Sequence, residues 1–308
     1  MKPELSVIYD MTRRCPWECS ICCMGAVPGP EALEGELPQS RKLSVIDEAA
    51  ALDRSVRIDF SGGEIFTDPR NLEVIEYAAK VLGKDKIGIS CSGYGIGDEA
   101  ARRLSAAVSE CEMTMDVPPG DEYRLRPKGY ALAAANALPY LQRYGITTGI
   151  QTVLARSNTN EDNLTRLYRW LCRHHVDNWS LLRFFPQGRG AGFPEECLTD
   201  KEGQWAVDFI RCMINGDPSG FKPRVDFHYT LKGHAKHTCE CRCVRKSIGI
   251  MPDGKVTACF WALDANTGII DSKYFLGSLK KHTLAQILSG KQALYWSGCV
   301  HSCELNVA

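Results

Sequence analysis

Between Leu5 and Phe185, six short apolar runs alternate with five longer amphipathic ones. The short runs are "LSVIYDMT" (5–12), "VRIDF" (56–60), "KIGISCSG" (86–93), "CEMTMDV" (111–117), "ITTGIQTVL" (146–154) and "NWSLLRFF" (178–185), each of strand length. Between them lie "SRKLSVIDEAAAL", "NLEVIEYAAKVL", "DEAARRLSAAV", "GYALAAANALPYLQRYG" and "NEDNLTRLYRWLCRHH", whose apolar residues recur at helical spacing, with Ser40 the expected cap of the first. A helix after each strand returns the chain so that the next strand runs the same way, and serial alternation therefore predicts a parallel sheet. Six units fall short of the full eightfold closure, so the expected fold class is α/β, a partial (β/α)6 TIM-like barrel. Ligands in such sheets gather at the carboxyl ends of the strands. A cysteine loop follows the first strand, "SGGE" the second and "CSGYG" the third, so all three are expected on one rim.

The alternation stops near residue 195. "LTDKEGQWAVDFIRCMI" reads as a helix, "PRVDFHYTLKGH" as a strand, and "PDGK" as a turn between two short strands in which Gly254 tolerates a positive φ. A cysteine-dense tail surrounds that turn. The expected organisation is a barrel over residues 1–195 and a small cysteine-rich domain over 196–308.

Bulk properties exclude several classes. The 37 basic residues are matched by 37 acidic ones, which argues against a nucleic-acid footprint or a basic membrane-surface patch. No apolar run approaches the roughly 20 residues of a membrane span, and the amino terminus has no signal-peptide core. The expected location is the cytoplasm, where disulfides are rare. Fifteen cysteines, an odd number and mostly in two clusters, then point to metal or redox chemistry.

Cys15, Cys19 and Cys22 have the spacing Cys-x3-Cys-x2-Cys. Structural zinc favours four ligands in paired Cys-x2-Cys knuckles and fits this step poorly, even with Cys23 as a fourth thiolate. Three thiolates suit a [4Fe–4S] cluster with one iron left open. This spacing after the first strand, with "SGGE" (Ser61 to Glu64) after the second, resembles the radical S-adenosylmethionine (radical SAM) superfamily. The resemblance implies that Cys15, Cys19 and Cys22 hold three irons and that the fourth chelates S-adenosylmethionine. It implies that Ile21 lies against the adenine, that Gly62 and Gly63 let the backbone approach the methionine part, and that Glu64 accepts from its ammonium group. Ser61, Ser90, Ser92, Thr114, Asp116 and Gln151 are further rim candidates, and Arg124 or Arg126 could bind the methionine carboxylate. Cys23, Cys91, Cys111, Cys172, Cys197 and Cys212 read as small apolar packers.

At the other end, Cys243 and Cys259 flank the "PDGK" hairpin, and Cys299 and Cys303 return as Cys-x3-Cys. This looks like the SPASM extension of radical enzymes, or its shorter twitch form, and implies one auxiliary [4Fe–4S] cluster on those four thiolates. A tetrahedral zinc site would use the same ligands. Cys239 and Cys241 are left over, as additional ligands, inert spectators or hydrogen-atom donors. Two clusters and S-adenosylmethionine are thus the expected cofactors, with an external one-electron donor such as flavodoxin or ferredoxin as partner.

The resemblance implies reductive cleavage of S-adenosylmethionine and removal of hydrogen from a substrate carbon. The spare thiols favour epimerisation, while dehydrogenation of an alcohol and formation of a ring or thioether are alternatives. The barrel begins within five residues of the start, from which no leader-binding domain is expected and a small molecule such as an aminoglycoside or sugar is preferred. Small peptide epimerases are also similar, in the doubled Cys22–Cys23 and in "GGEIF". Outside enzymes, a zinc-stabilised binding module or a redox relay remains open.

Overall fold

In the computed structural model the described residues are 4–218, 220–228, 231, 241–262 and 270–298. Six strands run parallel in chain order: β1 (Leu5–Asp10), β2 (Val56–Ser61), β3 (Ile87–Cys91), β4 (Glu110–Thr114), β5 (Thr147–Leu154) and β6 (Asn178–Arg183). The helices between them are α1 (Gln39–Ala50), α2 (Pro69–Leu82), α3 (Asp98–Ala107), α4 (Tyr130–Arg143) and α5 (Glu161–Arg173). The parallel α/β class and its partial barrel follow, as the alternation predicts.

The sheet does not end at residue 195. After α6 (Asp200–Gly216), β7 (Arg224–Phe227) pairs parallel with β6 at one edge. Beyond β1, β8 (Ser247–Ile250) pairs parallel, and β9 (Lys255–Thr257) and β10 (Phe275–Ser278) follow antiparallel. The order is β10-β9-β8-β1-β2-β3-β4-β5-β6-β7. The cysteine-rich segment therefore extends the barrel's own sheet on the β1 side. Helices α7 (Leu284–Leu288) and α8 (Lys291–Gly298) close the described chain.

The two faces of the sheet differ. Leu5, Val7 and Tyr9 on β1, with Val56, Ile58 and Phe60 on β2, are buried under the helices. The alternate residues Ser6, Ile8, Asp10, Asp59 and Ser61 line a cavity instead. Period-two alternation is thus imposed on parallel strands, which are ordinarily apolar on both faces. The helices pack through Val45, Ile46 and Ala49 on α1, Leu72, Ile75 and Ala78 on α2, and Leu164, Leu167 and Leu171 on α5.

Helix starts follow local chemistry. Asp68 accepts from the Arg70 N–H with Pro69 at the first position of α2, and Thr199 with Glu202 forms a capping box on α6. The expected cap at Ser40 is corrected: α1 starts one residue earlier, after Pro38, whose fixed φ suits a helix entry without a side-chain cap. Gly254 has φ +81° in the "PDGK" turn, as expected.

Ile58, at the middle of the ten-stranded order, is 1% exposed. Ile58→Ala should cost about 2–5 kcal/mol through the cavity it leaves. Urea unfolding should show this as a lower midpoint with an unchanged slope.

Candidate active site

The loop after β1 has little regular structure of its own, so its backbone must find partners elsewhere. Thr12 and Arg14 accept from the Gly63 and Glu64 N–H groups at 2.7 and 2.8 Å, and Val27 ties the loop's ends by accepting from the Cys15 N–H at 3.0 Å and donating to the Arg13 carbonyl at 3.1 Å. Gly62 has φ +140°, and a Cβ there would stand 2.6 Å from the Thr12 carbonyl oxygen. A Cβ on Gly63 would fall still closer to the Arg14 carbonyl oxygen. Both glycines are therefore required by the cysteine loop itself, whatever else approaches them.

A second clamp was not legible in advance. Arg189, after β6, donates from Nε to the Cys19 carbonyl (2.9 Å) and from Nη1 to the Ala26 carbonyl (2.6 Å), and its N–H meets the Cys22 carbonyl at 3.0 Å. Gly188 (φ +54°) packs so tightly that a Cβ would lie 2.6 Å from the Cys22 carbonyl oxygen. The only available signal was "QGRG", glycines bracketing a cation just beyond a strand end.

Held this way, Cys15, Cys19 and Cys22 face one cavity of about 400 Å³ at the carboxyl ends of the strands. Burial pushes the Cys15 thiol up to about 12 and raises that of Cys19, against a partial offset from the Arg126 guanidinium. Buried thiolates need a metal to neutralise them, and an all-sulfur set of three suits an iron–sulfur cluster with an open iron. The residues fit the group.

The remaining candidates separate into those that face the cavity and those that act behind it. Ile21, Ser61, Gly62, Gly63, Ser90, Ser92, Thr114, Arg126 and Gln151 all line it. Glu64 stands behind Ser92. It is fully buried outside the lining, its carboxylate accepts from the Ser92 N–H at 2.9 Å and from the Ser92 hydroxyl, and burial raises it to about 7. Trp17, missed from sequence, donates from Nε1 to the same Ser92 hydroxyl at 2.8 Å and packs edge-on against Tyr130. Asp116 also stands back. It is 1% exposed, accepts from Arg126 Nε at 2.6 Å and from the Val153 N–H at 2.8 Å, and so aims the guanidinium. Arg124 turns away to pair with Glu196.

Cys23, Asp10 and Glu112 also line the cavity, although the sequence did not place them at the site. Cys23 packs against the hydrophobic core, as expected, and lines the cavity as well; burial takes its thiol to about 12. Cys91 also reaches the cavity and packs on Cys111, with sulfurs 3.9 Å apart. Asp10 accepts from the Ser61 hydroxyl through Oδ1 at 2.5 Å, while Oδ2 is buried without a partner; burial lifts its carboxyl to about 7. Glu112, also raised by burial, accepts from Gln151 Nε2 at 2.9 Å.

Beyond the hairpin turn, the Cys243 thiol makes hydrogen-bond contacts with both Cys241 and Cys259, which hold it in the protonated form and pull Cys259 down. Cys239, Cys299 and Cys303 lie outside the described residues. Phe260 and Trp261, immediately after Cys259, reach the barrel cavity, where Trp261 stacks on Phe185 at 5.4 Å.

A family model described as the Radical SAM superfamily matches residues 9–171, just over half of the chain. The chain belongs to the radical SAM superfamily. A SPASM model, described as an iron-sulfur cluster-binding domain, matches residues 239–304 of this radical SAM protein. Its barrel binds a [4Fe–4S] cluster and S-adenosylmethionine, and the SPASM domain adds further iron–sulfur binding. Streptococcus suis SuiB bound to the precursor peptide SuiA is similar, with TM-score 0.75 and 12% identity over 97% of this chain and 67% of that one. Native anSMEcpe with bound AdoMet and Kp18Cys peptide is similar with TM-score 0.69 and 16% identity, over 96% and 83%. At these identities the likeness is one of fold. No curated protein matches the sequence. No helix among the described residues is long and apolar enough to cross a membrane.

Gly63→Ala should push the Arg14 backbone away and lose the greater part of the iron after anaerobic reconstitution, with the far-ultraviolet circular dichroism retained. A second expectation concerns pH. Asp10 is raised from its ordinary 3.8 to about 7, so its contribution to stability is complete below the lower value and is lost as pH rises through the higher. Asp10→Asn should leave cofactor-free protein nearly unchanged at low pH and stabilise it above neutrality, by at most about 4 kcal/mol. Urea unfolding across that range checks the sign.

Proposed function

We propose that this radical SAM enzyme removes a hydrogen atom from a carbon of a compact polar substrate in the barrel cavity and epimerises that centre. The observation that carries the proposal is the single cavity shared by the three motif cysteines, the Gly62–Gly63 backbone and non-ligating groups, among them the Cys23 thiol. When bound, the cluster and S-adenosylmethionine supply hydrogen abstraction from an unactivated C–H bond.

The chain's own residues would do the rest. Cys15, Cys19 and Cys22 would hold the cluster; Ile21 would pack against the adenine, with Ser92 and Thr114 as polar contacts on the same wall. Arg126, fixed by Asp116, would bind the nucleotide's carboxylate with its planar fork. Phe185 and Trp261 would exclude water from the reacting carbon. Epimerisation needs a thiol that returns hydrogen from the opposite face, for which Cys239 and Cys241 are candidates and Cys23 a third. Residues 1–195 would form the barrel and 196–308 the auxiliary part, with one cluster on Cys243, Cys259, Cys299 and Cys303. A flavodoxin or ferredoxin in the cytoplasm would deliver the electron.

A second outcome, dehydrogenation, is favoured by one observation: Cys241 lies with Cys243 and Cys259, where it serves better as a ligand than as a donor. The SuiA and Kp18Cys peptides bound by the two similar structures support a peptide as the alternative substrate class.

Turnover in deuterated water separates the outcomes. Epimerisation by a thiol should place one solvent deuterium at the inverted carbon, because thiol protons exchange. A product two mass units lighter without deuterium would instead establish dehydrogenation. Cys→Ala variants at 23, 239 and 241 should identify the donor by loss of inversion with S-adenosylmethionine cleavage retained.

A further inference from the structure

We propose that the cavity selects a substrate carrying an ammonium group, and that Asp10 is its anchor, with Glu112 a second acceptor deeper in the barrel. This rests on the cavity being the substrate site and adds the charge class of what enters it.

Asp10 stands at the carboxyl end of β1 and is 1% exposed. One oxygen is satisfied by Ser61, and the other has no hydrogen-bond partner, although the side chain lines the cavity. A buried carboxylate oxygen left in this state loses its hydration without replacement, which is costly unless a donor arrives from the cavity. Its neighbour Asp59, on the same wall, shows the ordinary resolution: Arg57 approaches it at 3.0 Å. Nothing comparable reaches Asp10. Glu112, on β4, has only neutral partners, the Gln151 amide at 2.9 Å and the Ser180 hydroxyl. The two guanidinium groups that line the cavity, Arg126 and Arg183, are already paired with Asp116 and Asp200.

Among the described residues, the cavity thus presents two carboxylates without a cationic counterpart. A neutral polyol would leave Asp10 charged and unpaired or force it to keep its proton, and an anionic substrate would be repelled. An ammonium group supplies both the donor and the charge, in a site dry enough for the pair to be strong. The stacked faces of Phe185 and Trp261 on the cavity wall suit the same ligand, through apolar ring contact or a cation over the ring.

Two amines could meet Asp10, the substrate's or that of S-adenosylmethionine, and the test distinguishes them. Anaerobic calorimetry on the reconstituted enzyme would compare 2-deoxystreptamine, spermidine and N-acetyl-lysine amide with the uncharged counterparts scyllo-inositol, 1,8-octanediol and N-acetyl-norleucine amide. At least one amine should bind tenfold or more tightly than its counterpart. Asp10→Asn should weaken that amine at least tenfold, and Glu112→Gln should weaken the diamino cyclitol or spermidine more than the lysine amide. Failure of all three amines to exceed their counterparts would overturn the proposal, as would an Asp10→Asn enzyme with undiminished amine binding. An equal loss of S-adenosylmethionine affinity in Asp10→Asn would reassign the carboxylate to the nucleotide and also overturn it. Cleavage of S-adenosylmethionine by the unaltered enzyme after chemical reduction, without any amine, reports separately on the radical SAM chemistry.

Discussion

The site depends on two stretches of backbone lying closer together than side chains permit. Gly62 and Gly63 pass against the Thr12 and Arg14 carbonyls, and two N–H···O bonds lock the contact. Because β1 and β2 are parallel neighbours, the loops that leave their carboxyl ends meet at the same height. Arg189 and Gly188 hold the cysteine loop from the other side. A loop with little secondary structure thereby obtains partners for its polar groups and a defined position for its thiols.

The sheet divides its labour between its faces. Helices cover an apolar face, and that burial holds the fold together. The cavity face carries Asp10, Ser61, Ser90, Ser92, Glu112 and Gln151, polar groups that contribute little to stability and are kept at a cost. Raised carboxyl groups at Asp10 and Glu112 are the electrostatic signature of that arrangement, and such perturbed groups concentrate where chemistry occurs.

The C-terminal segment is joined to the barrel by the same hydrogen-bond ladder. β8 lies along β1, the strand that leads into the cysteine loop, and the turn after Cys259 carries Trp261 onto Phe185. Cys259 and a part of the cavity wall are consequently parts of one short stretch, Cys259 to Trp261.

The amino-acid sequence by itself determined the order of strands and helices, the parallel class, the rim and the cysteine loop upon it, because each is written in local periodicity or in spacing along one loop. It could not show that β7 to β10 extend the same sheet, since β8 reaches β1 from the far end of the chain and such non-local pairing leaves no local trace. Nor could it assign Glu64 and Asp116 to supporting positions behind Ser92 and Arg126, or bring Cys23, Asp10 and Glu112 to the cavity wall. Which side of a strand faces a helix and which faces a cavity is decided only when the whole sheet curves and the helices choose a face. The tertiary structure made that choice, and the charge of the cavity follows from it.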